Sequence, residues 1–143
     1  MQQIGVVGGG TMGAGIAEVC AKAGSDVIIL EVKQEFADAA RQRVEKSLAR
    51  AVTKNKLSQD DADAALGRLR VTTDYADLAD RDLVIEAAPE IEDLKREIFT
   101  RLDEVVGENT ILATNTSSIP VIKVATATKR PERVVGCLLY TSP

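Results

Sequence analysis

Apolar residues along this chain fall into short continuous runs, separated by longer stretches in which they recur every three or four positions. The runs at residues 4–7, 27–30, 83–87 and 110–114 read as buried strands, and residues 70–72 as a shorter, weaker one. Residues 11–23 predict a helix with Met12, Ile16, Val19, Cys20 and Ala23 on its inward face and Gly24 just past its end. Residues 34–54 predict a long helix with Phe36, Ala40, Val44, Leu48 and Ala51 or Val52 along one side. Glu35, Asp38, Arg41, Gln42, Glu45 and Lys46 line the opposite side. Ser58 reads as the cap of a short helix reaching about Leu66, with Asp61 in its first turn. Residues 91–106 form a further amphipathic pattern, with Leu94, Ile98, Leu102 and Val105 inward and Gly107 ending it. Ser118 reads as the cap of a helix with Pro120 in its first turn, and Val134-Val135 opens a sixth strand. Strands alternating with helices predict an α/β fold with a doubly wound, mostly parallel sheet. The helical excursion at residues 34–66, after the second strand, is longer than one crossover needs and is a candidate for substrate contact.

Composition narrows the picture. A chain of 143 residues, 45% hydrophobic, is enough for one domain with a core. With 3% aromatics that core must be aliphatic, which suits parallel strands under Ala-rich helices. The net charge of −4, with Lys and Arg interspersed among acids, argues against nucleic acid or an anionic membrane as the main partner. Cys20 and Cys137 have no metal or redox spacing and read as reduced thiols in a cytoplasmic setting. No secretory signal is expected, and no apolar run approaches the roughly 20 residues of a membrane span. The chain has 0 histidines, so whatever it does alone is done without the commonest general acid–base group.

The chemistry begins at Gly8-Gly9-Gly10-Thr11-Met12-Gly13, a GxGxxG pattern that follows a strand and opens a helix. Gly8 allows the tight turn, Gly10 leaves room for a pyrophosphate, and Gly13 lets helix and strand pack closely. The helix start, including Thr11 and Met12, offers free N–H groups to phosphate oxygens. Glu31 lies 18 residues after Gly13, at the end of the second strand, where a carboxylate can accept both hydroxyls of a ribose. It would repel a 2′-phosphate, which favours NAD over NADP, although Lys33 stands nearby. This is the fingerprint of a Rossmann-type dinucleotide domain. The bland alternative is a glycine-rich turn beside a solvated acid.

Two further segments, residues 84–95 (Val-Ile-Glu-Ala-Ala-Pro-Glu-Ile-Glu-Asp-Leu-Lys) and 113–120 (Ala-Thr-Asn-Thr-Ser-Ser-Ile-Pro), strongly resemble the 3-hydroxyacyl-CoA dehydrogenase family. The opening at residues 4–17 and the long helical excursion fit the same family, so the resemblance covers about residues 2–136. It implies an NAD-binding domain, with Ala88, Glu90 and Lys95 near the nicotinamide ribose. It also implies that Asn115 lies near the nicotinamide and that the Ser117 hydroxyl contacts the substrate's 3-oxygen. Lys46, Lys54 and Lys56 become candidates for the phosphates of an acyl-CoA substrate, or ordinary solvated lysines. The family is expected to be homodimeric through a helical second domain.

The tail departs from that pattern. Where the family continues into a segment with its catalytic histidine, this chain reads Cys137-Leu138-Leu139-Tyr140-Thr141-Ser142-Pro143, with Leu138 at the histidine's place. Leucine cannot exchange a proton, and losing an acid–base group costs roughly 10²–10⁴ in rate. The change is abrupt, as an incomplete or altered reading of a longer gene would make it. Three readings follow: the cofactor domain of an NAD-dependent dehydrogenase, a non-catalytic nucleotide-binding or structural protein on the same fold, or another Rossmann oxidoreductase acting on a hydroxy acid.

Overall fold

The computed structural model describes residues 2–137; Leu138 and the rest of the tail lie outside the described residues. The strands are β1 (Gln3–Val7), β2 (Asp26–Leu30), β3 (Leu69–Thr72), β4 (Leu83–Glu86), β5 (Ile111–Thr114) and β6 (Val134–Gly136). They form one sheet in the order β3-β2-β1-β4-β5-β6, and every pairing is parallel. The chain builds outward from β1 to β3, then returns and builds outward the other way from β4. The carboxyl ends of β1 and β4 therefore flank the switch point where ligands of such sheets bind.

Continuous apolar strands arise because both faces of the sheet are covered. Ile4, Val6, Val27, Ile29, Ile85 and Ala113 point to one side, under α1 (Thr11–Lys22), α2 (Gln34–Thr53) and α3 (Gln59–Gly67). Val7, Ile28, Leu30, Val84 and Leu112 point to the other, under α4 (Glu92–Val105), α5 (Val121–Ala125) and a 3₁₀ turn at Tyr75–Leu78. Helix ends follow local chemistry. Gly24, at φ +104°, ends α1 with Ser25 N–H donating to the Cys20 carbonyl at 3.0 Å and Gly24 N–H to that of Ala21 at 3.1 Å. Asn55, at φ 56°, does the same for α2. Ser58 caps α3 by accepting the Asp61 N–H at 3.1 Å, as expected.

Several inward faces differ from expectation. On α1 the buried residues are Gly13, Ala14, Ile16, Ala17 and Ala21, while Met12 and Val19 are exposed. Two stripes on that helix share a spacing of three and four, and residue size decides between them. The close approach at Gly13 brings the small-residue stripe onto the sheet and turns the larger residues out. On α2 Ala37 is buried and Phe36 is exposed, with the Lys33 ammonium 5.9 Å from its ring centre. On α4 the buried set is Lys95, Ile98, Phe99 and Leu102; Leu94 and Val105 only flank it. Ser118 caps nothing, because α5 starts at Val121 with Pro120 at its N-cap position. Among the described residues no helix is long and apolar enough to cross a membrane.

Candidate dinucleotide site

The glycine loop joins β1 to α1, and each glycine has a separate geometric reason. Gly8 sits at φ +100°, and a Cβ there would lie 2.7 Å from the Ala87 carbonyl oxygen. A Cβ on Gly9 would lie 2.4 Å from that of Ala40 on α2, and one on Gly13 only 1.8 Å from the Gly8 carbonyl oxygen. These three close the loop against the protein. A Cβ on Gly10 would meet no atom within 4 Å. That open side is where a pyrophosphate would stand.

Helix α1 has no side-chain cap and no acid in its first turn; its ladder begins with Ala14 N–H to the Gly10 carbonyl at 2.8 Å. The amides of Thr11, Met12 and Gly13 are left for another acceptor, and the helix end favours an anion. Glu31 stands half-buried at the end of β2. Its carboxylate accepts Gly9 N–H at 2.7 Å and Val32 N–H at 3.2 Å, tying the second strand to the glycine loop. Arg43, on α2, donates to the Gly9 carbonyl at 2.8 Å and braces the loop from the other side. The residues present thus fit the ADP half of a dinucleotide: room at Gly10, free amides at α1 and a carboxylate at Glu31 beside the loop.

The second half of the site stands over β4 and β5. Glu86 and Thr114 are register partners on these strands. Glu86 is 0% exposed, and its carboxylate takes the Thr114 hydroxyl at 2.6 Å, the Ala88 N–H at 2.7 Å and the Lys95 ammonium at 2.5 Å. Lys95, also 0% exposed, reaches the Ala88 carbonyl at 3.2 Å and Glu90 at 3.1 Å. The Glu90 side chain is 39% exposed and crosses to the β5–α5 loop. There it accepts the Thr116 hydroxyl at 2.7 Å, the Ser118 hydroxyl at 2.9 Å and the Ser117 N–H at 3.4 Å. Burial pushes the Glu90 carboxyl up, but the hydrogen bonds from Thr116, Lys95 and Ser118 together with the Lys95 charge outweigh it and hold it at about 2.

Glu90, Lys95, Ala88, Asn115 and Ser117 are therefore brought together at the carboxyl ends of β4 and β5, beside the glycine loop, which packs on Ala87 and Ala88. Asn115 is anchored by its N–H to the Glu86 carbonyl at 2.9 Å, and Ser117 is exposed. Lys46 is exposed on α2, in a cleft with Thr11, Glu18, Arg43 and Arg50. Lys54 is the C-cap of α2, roughly 16 Å of helix beyond Arg43, and the structure does not bring it to the glycine loop. Sequence reasoning missed Arg43, Glu86, Thr114 and Thr116. Glu86 carried a usable signal: an acid within an apolar strand must find a partner when the strand is buried.

A glycine loop between β1 and α1, an acid closing β2 and a switch point at the carboxyl edge define a Rossmann dinucleotide-binding domain. The chain belongs to the 3-hydroxyacyl-CoA dehydrogenase family: the profile of that family's NAD-binding domain matches residues 3–142, and NAD is the cofactor this domain takes. A 3-hydroxybutyryl-CoA dehydrogenase of Mycobacterium tuberculosis is 53% identical over 95% of this chain, which covers 48% of that protein. The probable 3-hydroxybutyryl-CoA dehydrogenase of Deinococcus radiodurans is 46% identical over 94% of the chain. The crystal structure of M. tuberculosis FadB2 superposes with a TM-score of 0.97 at 51% identity, covering 99% of this chain and 50% of that one. The chain thus spans about half the length of these three relatives.

Proposed function

We propose that this chain is the cofactor half of a dehydrogenase acting at C3 of a short-chain 3-hydroxyacyl-CoA. The observation that carries the reading is the open side of Gly10 beside the uncapped start of α1, with Glu31 at the end of β2. Gly8, Gly9 and Gly13 shape the cradle, and the Thr11 and Met12 amides receive the phosphates. Glu31 takes the adenosine ribose hydroxyls and disfavours a 2′-phosphate. Ala88, Glu90, Lys95 and Asn115 frame the nicotinamide side. When bound, NAD supplies the hydride acceptor or donor. Ser117 presents an exposed hydroxyl to the substrate's 3-oxygen, where a small donor can hold developing charge. Lys46 and Lys54 are the proposed contacts for the phosphates of CoA. A cytoplasmic setting and a homodimer formed through the part of the relatives this chain does not span belong to the same proposal.

Leu138, at the position of the family's histidine, cannot move a proton, so binding without appreciable turnover is expected of this chain. That residue also favours the competing reading, a non-catalytic nucleotide-binding or structural role. Calorimetry with NADH, on the chain and on Glu31→Ala, separates the two. Measurable binding that weakens about tenfold, the equivalent of one charge-assisted contact, supports the cofactor reading. No binding in either case favours the structural role. Robust turnover of 3-hydroxybutyryl-CoA by this chain would show that Leu138 has been misread.

A further inference from the structure

We propose that Glu86 is the positioning residue for the nicotinamide half of the site, acting through Lys95 and Glu90 on the turn that carries Ser117. The inference rests on the NAD reading above and deepens it. It starts from the donor inventory of Lys95. An ammonium has three N–H donors. Here they face three acceptors: Glu86 at 2.5 Å, Glu90 at 3.1 Å and the Ala88 carbonyl at 3.2 Å. With the side chain 0% exposed, Lys95 has no donor left for a ribose unless one of these bonds is given up. Its effect on a ligand therefore passes through Glu90.

Glu86 is what aims that ammonium. It stands on β4, in register with Thr114 on β5, so its carboxylate is fixed by the sheet itself. The Thr114 hydroxyl holds one oxygen at 2.6 Å, and the Ala88 N–H and Lys95 share the other. The carboxylate thus pins Ala88, the first residue of the β4–α4 loop to touch this network, and Lys95 on α4. Lys95 sets one oxygen of Glu90, and the other gathers the Thr116, Ser117 and Ser118 donors of the β5–α5 loop. A rigid strand position is in this way transmitted to two loops. Both lie over β4 and β5, whereas the glycine loop and Glu31 lie over β1 and β2. The two halves of such a fold each hold one nucleotide; Ala88 also backs the glycine loop, its nitrogen 3.2 Å from where a Cβ on Gly8 would stand, so loss of Glu86 is expected to weigh more on the nicotinamide end of a ligand than on its ADP end.

The test compares two probes on the same protein. Titration calorimetry gives Kd for NADH and for ADP, which lacks both the nicotinamide and its ribose, on the chain and on Glu86→Gln. The expected result is an NADH Kd raised about tenfold, as for loss of one charge-assisted contact, with that of ADP changed by no more than about twofold. A residue that merely supported the fold would shift both ligands together. If Glu86→Gln does not fold, Thr114→Val, a near-isosteric change that removes the hydroxyl holding one Glu86 oxygen at 2.6 Å and leaves Lys95 in place, is judged by the same ratio. Equal weakening of both ligands, or of neither, overturns the role of Glu86 and leaves the NAD reading standing. Failure of the unsubstituted chain to bind either ligand overturns the NAD reading itself.

Discussion

Two buried cations stand at opposite edges of the sheet, and they do different work. Arg81, 2% exposed, lies at the amino edge, where its guanidinium reaches Asp26 at 2.6 Å, Asp80 at 2.9 Å and the carbonyls of Asp26 at 3.1 Å and Ile4 at 3.4 Å. Its two carboxylate partners are 48% and 58% exposed. Lys95 lies at the carboxyl edge, with one partner as buried as itself and the other half in solvent. At the amino edge the buried member is the cation alone, and its bonds draw together β1, β2 and the start of β4. At the carboxyl edge the buried member is a pair, and its bonds run outward to loops. A fork of donors aimed at strands makes a clamp. A point charge fixed by a strand and aimed at loops makes a support for a site.

The largest expected effect follows from that difference. Lys95→Met leaves Glu86 buried and unpaired, which costs about 3–5 kcal/mol. Arg81→Met leaves carboxylates that water already reaches, so its cost is about 1–3 kcal/mol, mostly from backbone acceptors and lost packing. Urea denaturation of the two variants checks the order, and a larger loss for Arg81→Met would break the comparison. Glu86→Gln combined with Lys95→Met is expected to cost less than Lys95→Met alone, because both charges leave together.

Next in size is a contrast within the glycine loop. Gly13→Ala places a methyl 1.8 Å from the Gly8 carbonyl oxygen and must separate α1 from β1, at about 1–3 kcal/mol or more. Gly10→Ala meets nothing within 4 Å, so stability should change by no more than about 0.5 kcal/mol. Its effect falls on the ligand instead: NADH binding weakens at least about tenfold. Thermal melts and calorimetry on both variants check this, and a Gly10→Ala protein that binds NADH normally would sink the cradle.

These contrasts show what sequence could and could not supply. The strands were legible because parallel strands buried on both faces read as unbroken apolar runs, and Gly8, Gly10, Gly13 and Glu31 because their spacing is dictated by one loop. Lys95 is pointed to only by the family resemblance, and its burial is legible only when its place is compared with Ile98, Phe99 and Leu102, whose stripe it shares. Glu86 reads only as an acid inside the strand at 83–87, since its partners Thr114 and Lys95 are 28 and 9 residues away. Arg43 left no signal, because its bond to Gly9 depends on how α2 crosses the loop. Met12 and Val19 were placed inward by periodicity alone, which is blind to the close helix–sheet approach that Gly13 imposes, and Phe36 likewise on α2, where the small Ala37 and Ala40 are the buried side.

The smallest effect, and the one that bears most directly on the loops, is in acid. Glu90 titrates at about 2 in the fold against an ordinary 4.5, because the bonds from Thr116, Lys95 and Ser118 outweigh the burial that would raise it. A lowered carboxyl pKa means the folded state binds this proton less readily than the unfolded one. The stabilisation is therefore complete above about 4.5 and drains away as pH falls towards 2. Asp80 is also held below its usual range, chiefly by its bond to Arg81, so the clamp weakens in the same direction. The two contributions separate by substitution: Glu90→Gln should flatten the loss of stability between pH 4.5 and 2 without touching the amino edge, and Asp80→Asn the reverse. Amide NMR makes the distinction local. The Ser117 N–H, which faces Glu90 at 3.4 Å, should follow a titration midpoint near 2. A midpoint near 4.5 would show that Glu90 is not gathered by the turn, and that the support described for the carboxyl edge ends at Lys95.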